Sequence, residues 1–147
     1  MKRVLVGVLS SGEPSLPKAL AGIAGQRDVI THIAHFADLP KSEAHRQLYA
    51  YFSEHSNQFD IMAKVDADME IVEPKLFSAI GAVLDRFPNI DLVSIAVDDW
   101  LSGERICCFN AWRGGVNWTE GPPDLFTDQA ENTVRESTSL LKAGRPL

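Results

Sequence analysis

Residues 4–9 read VLVGVL, an apolar run that shows no alternation between apolar and polar positions. Runs of this kind are typical of a central strand that is buried on both faces of its sheet. A polar loop, SSGEP, follows at residues 10–14, and apolar residues then recur at helical spacing from Leu16 to Ala24. This stretch predicts a strand, a loop and a helix at the centre of an α/β domain.

Strands and helices alternate along most of the remaining chain. Apolar residues at helical spacing predict helices that begin near Asp38 and Pro74. Further strands are predicted at residues 28–36, 59–65, 92–97 and 105–112, and a last helix at 128–142. Because strands that alternate with helices favour parallel pairing, we expect an α/β fold with a mainly parallel sheet flanked by helices. The length fits one domain over residues 1–147.

Charge and composition exclude several classes of partner. Fourteen Lys and Arg residues against twenty Asp and Glu residues give a net charge of -6, which opposes nucleic-acid binding. The apolar run at residues 4–9 is too short for a membrane span, and no cleavage site of a signal peptide follows it. Cys107 and Cys108 are adjacent, which favours small core residues of a reduced protein. We therefore expect a cytoplasmic protein without a membrane span.

An acidic turn is predicted where the third strand ends. Residues 64–71 read KVDADMEI, so Asp66 and Asp68 lie one residue apart. Both side chains could point the same way, and two like charges are held together most readily by a cation. Mg²⁺ and Mn²⁺ prefer such oxygen ligands, whereas a calcium loop is excluded because Ile71 stands where that loop needs glycine. The alternative is that the two aspartates end the strand in solvent.

The chain resembles glycosyltransferase family 2 in several segments of its first half. The matching segments are residues 6–13, 20–26, 44–45 and, best of all, 59–69. The resemblance implies a nucleotide-diphospho-sugar transferase fold of the GT-A type. It also implies transfer of a sugar from a nucleoside-diphosphate-sugar donor to an acceptor, with inversion, assisted by Mn²⁺ or Mg²⁺ at a DXD motif formed by residues 66–68.

The resemblance also implies roles for individual residues. Asp68 would coordinate the metal directly, and Asp66 would contact the metal or the ribose. Further nucleotide-sugar-binding residues would come from two loops at the strand ends: Ser10, Ser11, Glu13, Asp38 and Lys41. For these five residues the alternative is a role in a turn or a helix cap.

An inverting transfer needs a general base, which in this family is an acidic residue before a late helix. The resemblance assigns this role to Asp128, with Asp124 in reserve. Asp128 and Glu131 also have the spacing of a capping box, so Asp128 could instead cap its helix.

Residues 112–118, WRGGVNW, offer a second candidate for sugar contacts. Aromatic faces suit sugar rings, and glycine lets a ligand approach the backbone, so Trp112, Trp118 and Gly114 could belong to a sugar site. Packing in the core is the more frequent role of tryptophan. The histidines show no metal-ligand spacing and are expected at the surface or as lining residues.

Two departures of the chain from the family pattern bear on its function. Family members usually carry an acidic pair after the second strand, whereas residues 36–40, FADLP, contain one aspartate. The chain is also shorter than a typical catalytic domain of the family. A non-catalytic or degenerate nucleotide-sugar-binding module, with a regulatory role, is therefore the alternative function, and a homo-oligomer is compatible with both functions.

Overall fold

The structure is a computed structural model that describes residues 1–99 and 101–116. The elements in this part of the chain are β1 (Lys2–Ser10), α1 (Leu16–Ala24), β2 (Val29–Ala37), α2 (Lys41–His55), a short 3₁₀ helix (Ser56–Gln58), β3 (Ile61–Asp66), α3 (Leu76–Arg86), β4 (Leu92–Asp98) and β5 (Arg105–Arg113). None of the helices described is long and apolar enough to cross a membrane.

The described strands form one mixed sheet in the order β2-β1-β3-β5-β4. The strand β1 pairs in parallel with β2 and with β3. In contrast, β5 lies between β3 and β4 and runs antiparallel to both. The predicted fold, a mainly parallel sheet of the GT-A type flanked by helices, is therefore wrong, because half of the strand pairings are antiparallel.

The physical reason for this difference lies in the connection after β4. Only residues 99–104 separate β4 from β5, and Gly103 has a positive φ of 72° there. A strand that pairs in parallel with the preceding strand needs a crossover of a dozen or more residues. A connection as short as this one therefore requires an antiparallel hairpin. The chain then places β5, rather than β4, beside β3.

The central strand β1 is buried on both faces, as its sequence predicts. Val4, Val6 and Val8 pack in one apolar cluster with residues of α1 and α3. Leu5 belongs to a second cluster, which contains residues of α2 together with Trp112. The sheet thus has α1 and α3 on one face and α2 on the other.

The helix α2 packs closely on β1 because Gly7 carries no side chain there. A Cβ atom at Gly7 would overlap the Leu48 side chain and come within 3.1 Å of the Phe52 ring. This close approach holds the first turns of α2 beside the carboxyl ends of β1 and β3, where the acidic turn lies.

Candidate functional site

A cleft lies beyond the carboxyl ends of β1 and β3. From β1 the chain continues through α1 to β2, at one edge of the sheet, and from β3 it continues through α3 to β4, at the opposite edge. Open α/β sheets bind ligands where the connections diverge in this way. The cleft has a volume of about 260 Å³ and is lined by Leu9, Ser10, Ser11, Glu13, Leu39, Lys41, Ala44, His45, Asp66 and Asp68.

The two aspartates of the acidic turn both line this cleft. Ala67 stands between them and is only 1% exposed, so its methyl group points into the protein. The amide of Met69 donates to the Asp66 carbonyl at 2.9 Å, which closes a tight turn directly after β3. The strand end and the turn together bring the two carboxylates to the same opening.

The surroundings of the two carboxylates differ. The Lys64 ammonium lies 3.9 Å from a carboxylate oxygen of Asp66, and the Lys64 side chain is only 15% exposed. For Asp68, no hydrogen bond or ion pair of its side chain is found among residues 1–99 and 101–116. A cation that enters the cleft would therefore meet one carboxylate with a lysine partner and one carboxylate open to a new ligand.

The loop after β1 forms a second wall and is held together internally. Glu13 accepts hydrogen bonds from the Ser11 amide at 2.6 Å and from the Ser11 hydroxyl at 3.0 Å. The hydroxyl of Ser10 forms a hydrogen bond of 2.6 Å with Nε2 of His35 on β2. Glu13 thus holds the loop in its conformation, and the Ser11 amide is engaged in a hydrogen bond to the Glu13 carboxylate.

Acid should loosen this loop. The Ser11 amide, followed by the amide of Glu13 itself, lowers the pKa of the Glu13 carboxyl below its ordinary value of 4.5. Because the folded-state pKa is depressed, the stabilising contact is fully present above pH 4.5 and is lost as the pH falls through the folded-state pKa. In an NMR titration, we expect the Ser11 amide resonance to move with a midpoint below pH 4.5.

A matched pair of variants checks the origin of this transition. Glu13→Gln should abolish the movement of the Ser11 resonance, whereas Glu70→Gln, which follows the acidic turn and does not line the cleft, should preserve it. A Ser11 resonance that does not respond to acid would contradict the role of Glu13.

The third wall comes from the start of α2. Lys41 is the first residue of this helix, and both Lys41 and His45 line the cleft. The Nδ1 atom of His45 donates to the Lys41 carbonyl at 2.7 Å, which fixes the ring against the helix. The sequence places His45 only broadly, as a surface or lining residue. Its approach to the acidic turn depends on how α2 crosses the sheet.

Asp38 lies apart from the cleft lining. Its backbone has a positive φ of 59°, and its amide donates to the Ser10 carbonyl at 2.9 Å. The residue that precedes α2 as its cap is Pro40, so the interpretation of Asp38 as the cap is wrong. A short polar side chain tolerates the left-handed conformation, which explains an aspartate at this turn.

The donor groups of the cleft fit a hard divalent cation. Two carboxylates of one turn face one opening, and Mg²⁺ or Mn²⁺ bound through one or two carboxylates keeps the remaining positions for phosphate oxygens and water. Within the described ranges, no group of three or more His, Cys, Asp or Glu side chains is placed to hold a metal. Among the described residues, Asp66 and Asp68 are the carboxylates of the acidic turn that could hold such a cation.

The Trp112 segment serves packing in this structure. Trp112 is fully buried, in line with the packing interpretation. The guanidinium group of Arg113 donates to the carbonyls of Leu84, Phe87 and Ile90, so it closes the end of α3. A Cβ atom at Gly114 would overlap the carbonyl of Phe59. The glycine therefore admits a neighbouring segment of the chain, which is a different role from the approach of a sugar.

Three of the predicted residues lie outside the part of the chain that the structure describes. They are Trp118 and the two candidates for the general base, Asp124 and Asp128. Their roles stay predictions.

Comparison with known proteins finds similarity to solved structures. No family model matches the chain, and no curated protein sequence matches it. The chain is similar to the solved structure of the viral protein A197 from STIV, with a TM-score of 0.55 and 17% sequence identity. The similarity covers 76% of this chain and 64% of that one, so the chain spans less than two thirds of the viral protein. At this identity, the comparison shows a shared fold alone.

Proposed function

We propose that the cleft binds a nucleoside-diphosphate-sugar together with Mn²⁺ or Mg²⁺ and transfers the sugar to an acceptor. The observation that supports this proposal most directly is the convergence of three separate segments. The loop at residues 10–13, the start of α2 at Lys41, and the pair Asp66 and Asp68 all line one open cleft. This arrangement joins metal-binding oxygens to hydroxyl groups and a lysine, which suit a diphosphate and a ribose.

Each wall of the cleft has a distinct task in the proposed reaction. Asp68 and Asp66 would hold the metal, which would offset the negative charge of the departing diphosphate. Lys41 adds positive charge beside the phosphates, and the amino-terminal end of α2 favours an anion in the same direction. The hydroxyl oxygens of Ser10 and Ser11 would accept hydrogen bonds from the nucleoside, since the Ser11 hydroxyl already donates to Glu13.

A binding module without catalysis is the second candidate. The described part of the cleft contains three acidic residues, Glu13, Asp66 and Asp68. Glu13 accepts two hydrogen bonds from Ser11, and the two aspartates are assigned to the metal. An acidic general base must therefore come from residues beyond this part of the cleft, as Asp128 or Asp124 would.

Binding of nucleoside diphosphates with and without Mn²⁺ tests the proposal. Titration calorimetry of the full chain should give micromolar dissociation constants for at least one nucleoside diphosphate with Mn²⁺, and affinities at least about tenfold weaker with a chelator, since a charged ligand would then face uncompensated carboxylates. Sugar donors with the preferred base should then be hydrolysed or transferred, with release of the nucleoside diphosphate.

The two candidates give different outcomes in these experiments. Metal-dependent binding with no turnover of any donor would support the binding module. If no nucleoside diphosphate binds with or without Mn²⁺, both candidates are wrong.

A further inference from the structure

We propose that Ser15 is a positioning residue that fixes the direction of the Asp68 carboxylate, an inference that rests on the proposed function of the cleft. Ser15 lies between the loop that follows β1 and the first turn of α1. It is absent from the cleft lining. Any effect of Ser15 on a ligand in the cleft is therefore indirect.

The hydroxyl group of Ser15 does not cap its own helix. Serine at this position ordinarily accepts a hydrogen bond from the second or third amide of the helix. Here Ser15 makes no side-chain cap bond, and its backbone has helical angles, with φ of -79° and ψ of -8°. The second helical residue is Pro17, which has no amide to donate. The hydroxyl is thus available for another partner.

That partner is the acidic turn. The Oγ atom of Ser15 donates to the carbonyl of Ala67 at 2.7 Å, across 52 residues of sequence. This carbonyl belongs to the peptide group that joins Ala67 to Asp68. The preceding peptide group, between Asp66 and Ala67, is held separately, because the Ala67 amide donates to the Leu9 carbonyl at 3.0 Å.

Each peptide group between the two aspartates is therefore held by one hydrogen bond with the first strand-and-helix unit. The bond that the Leu9 carbonyl accepts continues the pairing of β1 with β3 and orients Asp66. The bond from Ser15 orients the peptide group directly before Asp68. Loss of the Ser15 hydroxyl would free the second peptide group while the first stays in place, so Asp68 would lose its orientation and Asp66 would keep it.

The chain offers a matched control for this variant. The hydroxyl group of Ser78 also donates to a backbone carbonyl near the start of a helix, that of Lys75, at 3.0 Å. Ser78 lies on α3 and is absent from the cleft lining. Ser15→Ala and Ser78→Ala each remove one such bond, while Ser15→Thr keeps a hydroxyl group at position 15.

The first measurement needs no ligand. Amide hydrogen exchange of the full chain reports on the turn through the Met69 amide, which donates to the Asp66 carbonyl. We expect Ser15→Ala to accelerate exchange of this amide about three- to tenfold, the effect of one hydrogen bond. Ser78→Ala and Ser15→Thr should leave it unchanged. Equal exchange in Ser15→Ala and the unmodified chain would overturn the positioning role.

The second measurement connects the turn to the cleft. Mn²⁺-dependent affinity for a nucleoside diphosphate should fall about three- to tenfold in Ser15→Ala and recover in Ser15→Thr. Faster exchange with unchanged affinity would overturn the inference while leaving the proposed function intact. If the unmodified chain binds no nucleoside diphosphate, the proposed function fails, and the exchange measurement alone decides whether Ser15 holds the turn.

Discussion

Asp68→Asn will weaken Mn²⁺-dependent binding of a nucleoside diphosphate by roughly 10- to 100-fold. Substitution of residues that only contact a metal's ligands already lowers metal affinity by about this much. The amide side chain keeps the size of the carboxylate and removes its charge, so the hard cation loses its most accessible ligand. The side chain lines an open cleft and has no partner among the residues described here. The free energy of unfolding should therefore change by less than about 0.5 kcal/mol.

Asp68 is a cleaner position for this experiment than Asp66. A change at Asp66 would also remove an ionic partner of Lys64, whose side chain is mostly buried, so binding and stability would change together. Asp85→Asn is the matched control, since it makes the same chemical change at an exposed carboxylate that pairs with Lys2 on the surface. Titration calorimetry and chemical denaturation of each variant measure the two effects separately. Unfolding of Asp68→Asn would assign Asp68 a structural role, and binding equal to that of the control would contradict its role as a metal ligand.

Gly114→Ala will destabilise the protein by about 3 kcal/mol, at the upper end of the usual cost of overpacking. The added methyl group would overlap the Phe59 carbonyl oxygen and lie 2.7 Å from its carbon. Both atoms belong to the backbone, and the Gly114 amide donates to the Asp60 carbonyl at 2.8 Å. This hydrogen bond holds the two backbone segments together, so they do not move apart to admit the methyl group. Thermal unfolding should show a midpoint lower by roughly 10 °C.

Gly103→Ala separates this steric cost from the cost of backbone conformation. Gly103 has a φ of 72°, and a Cβ atom there would meet no atom within 4 Å. Its replacement should cost only about 1 kcal/mol, from the left-handed conformation alone. If the two variants lose the same stability, the contact between Gly114 and Phe59 is not the reason that position 114 requires glycine.

The strands and helices that the structure describes could mostly be predicted from the sequence because each depends on a local pattern. The apolar run at residues 4–9 becomes the buried strand β1, and the helical spacing from Leu16 to Ala24 becomes α1. The order of the strands in the sheet depends on which strands pair after the chain folds back, and no local sequence pattern predicts this. The chain after β4 turns back at once, and β5 takes the place beside β3. The expectation of a mainly parallel sheet failed at this point.

The candidate site shows the same division. The carboxylates at positions 66 and 68 stand out in the sequence because they follow a buried strand. No sequence pattern indicates the role of Ser15, since a serine before a helix predicts an ordinary helix cap. Its bond to Ala67 depends on the packing of α1 against the turn after β3. A hydrogen bond across 52 residues arises from tertiary structure alone.

The pairing of β1 with β3 joins residues that lie 57 positions apart, as Val4 and Ile61 do, and the opening beyond these strands exists only once that pairing has formed. The unfolded chain therefore has no counterpart of this opening, and a molecule that fits it adds its binding free energy to the folding equilibrium of the whole unit. At a hundred times its dissociation constant, such a molecule would favour the native state by about 2.7 kcal/mol. Occupancy and global unfolding are thus thermodynamically linked in this chain.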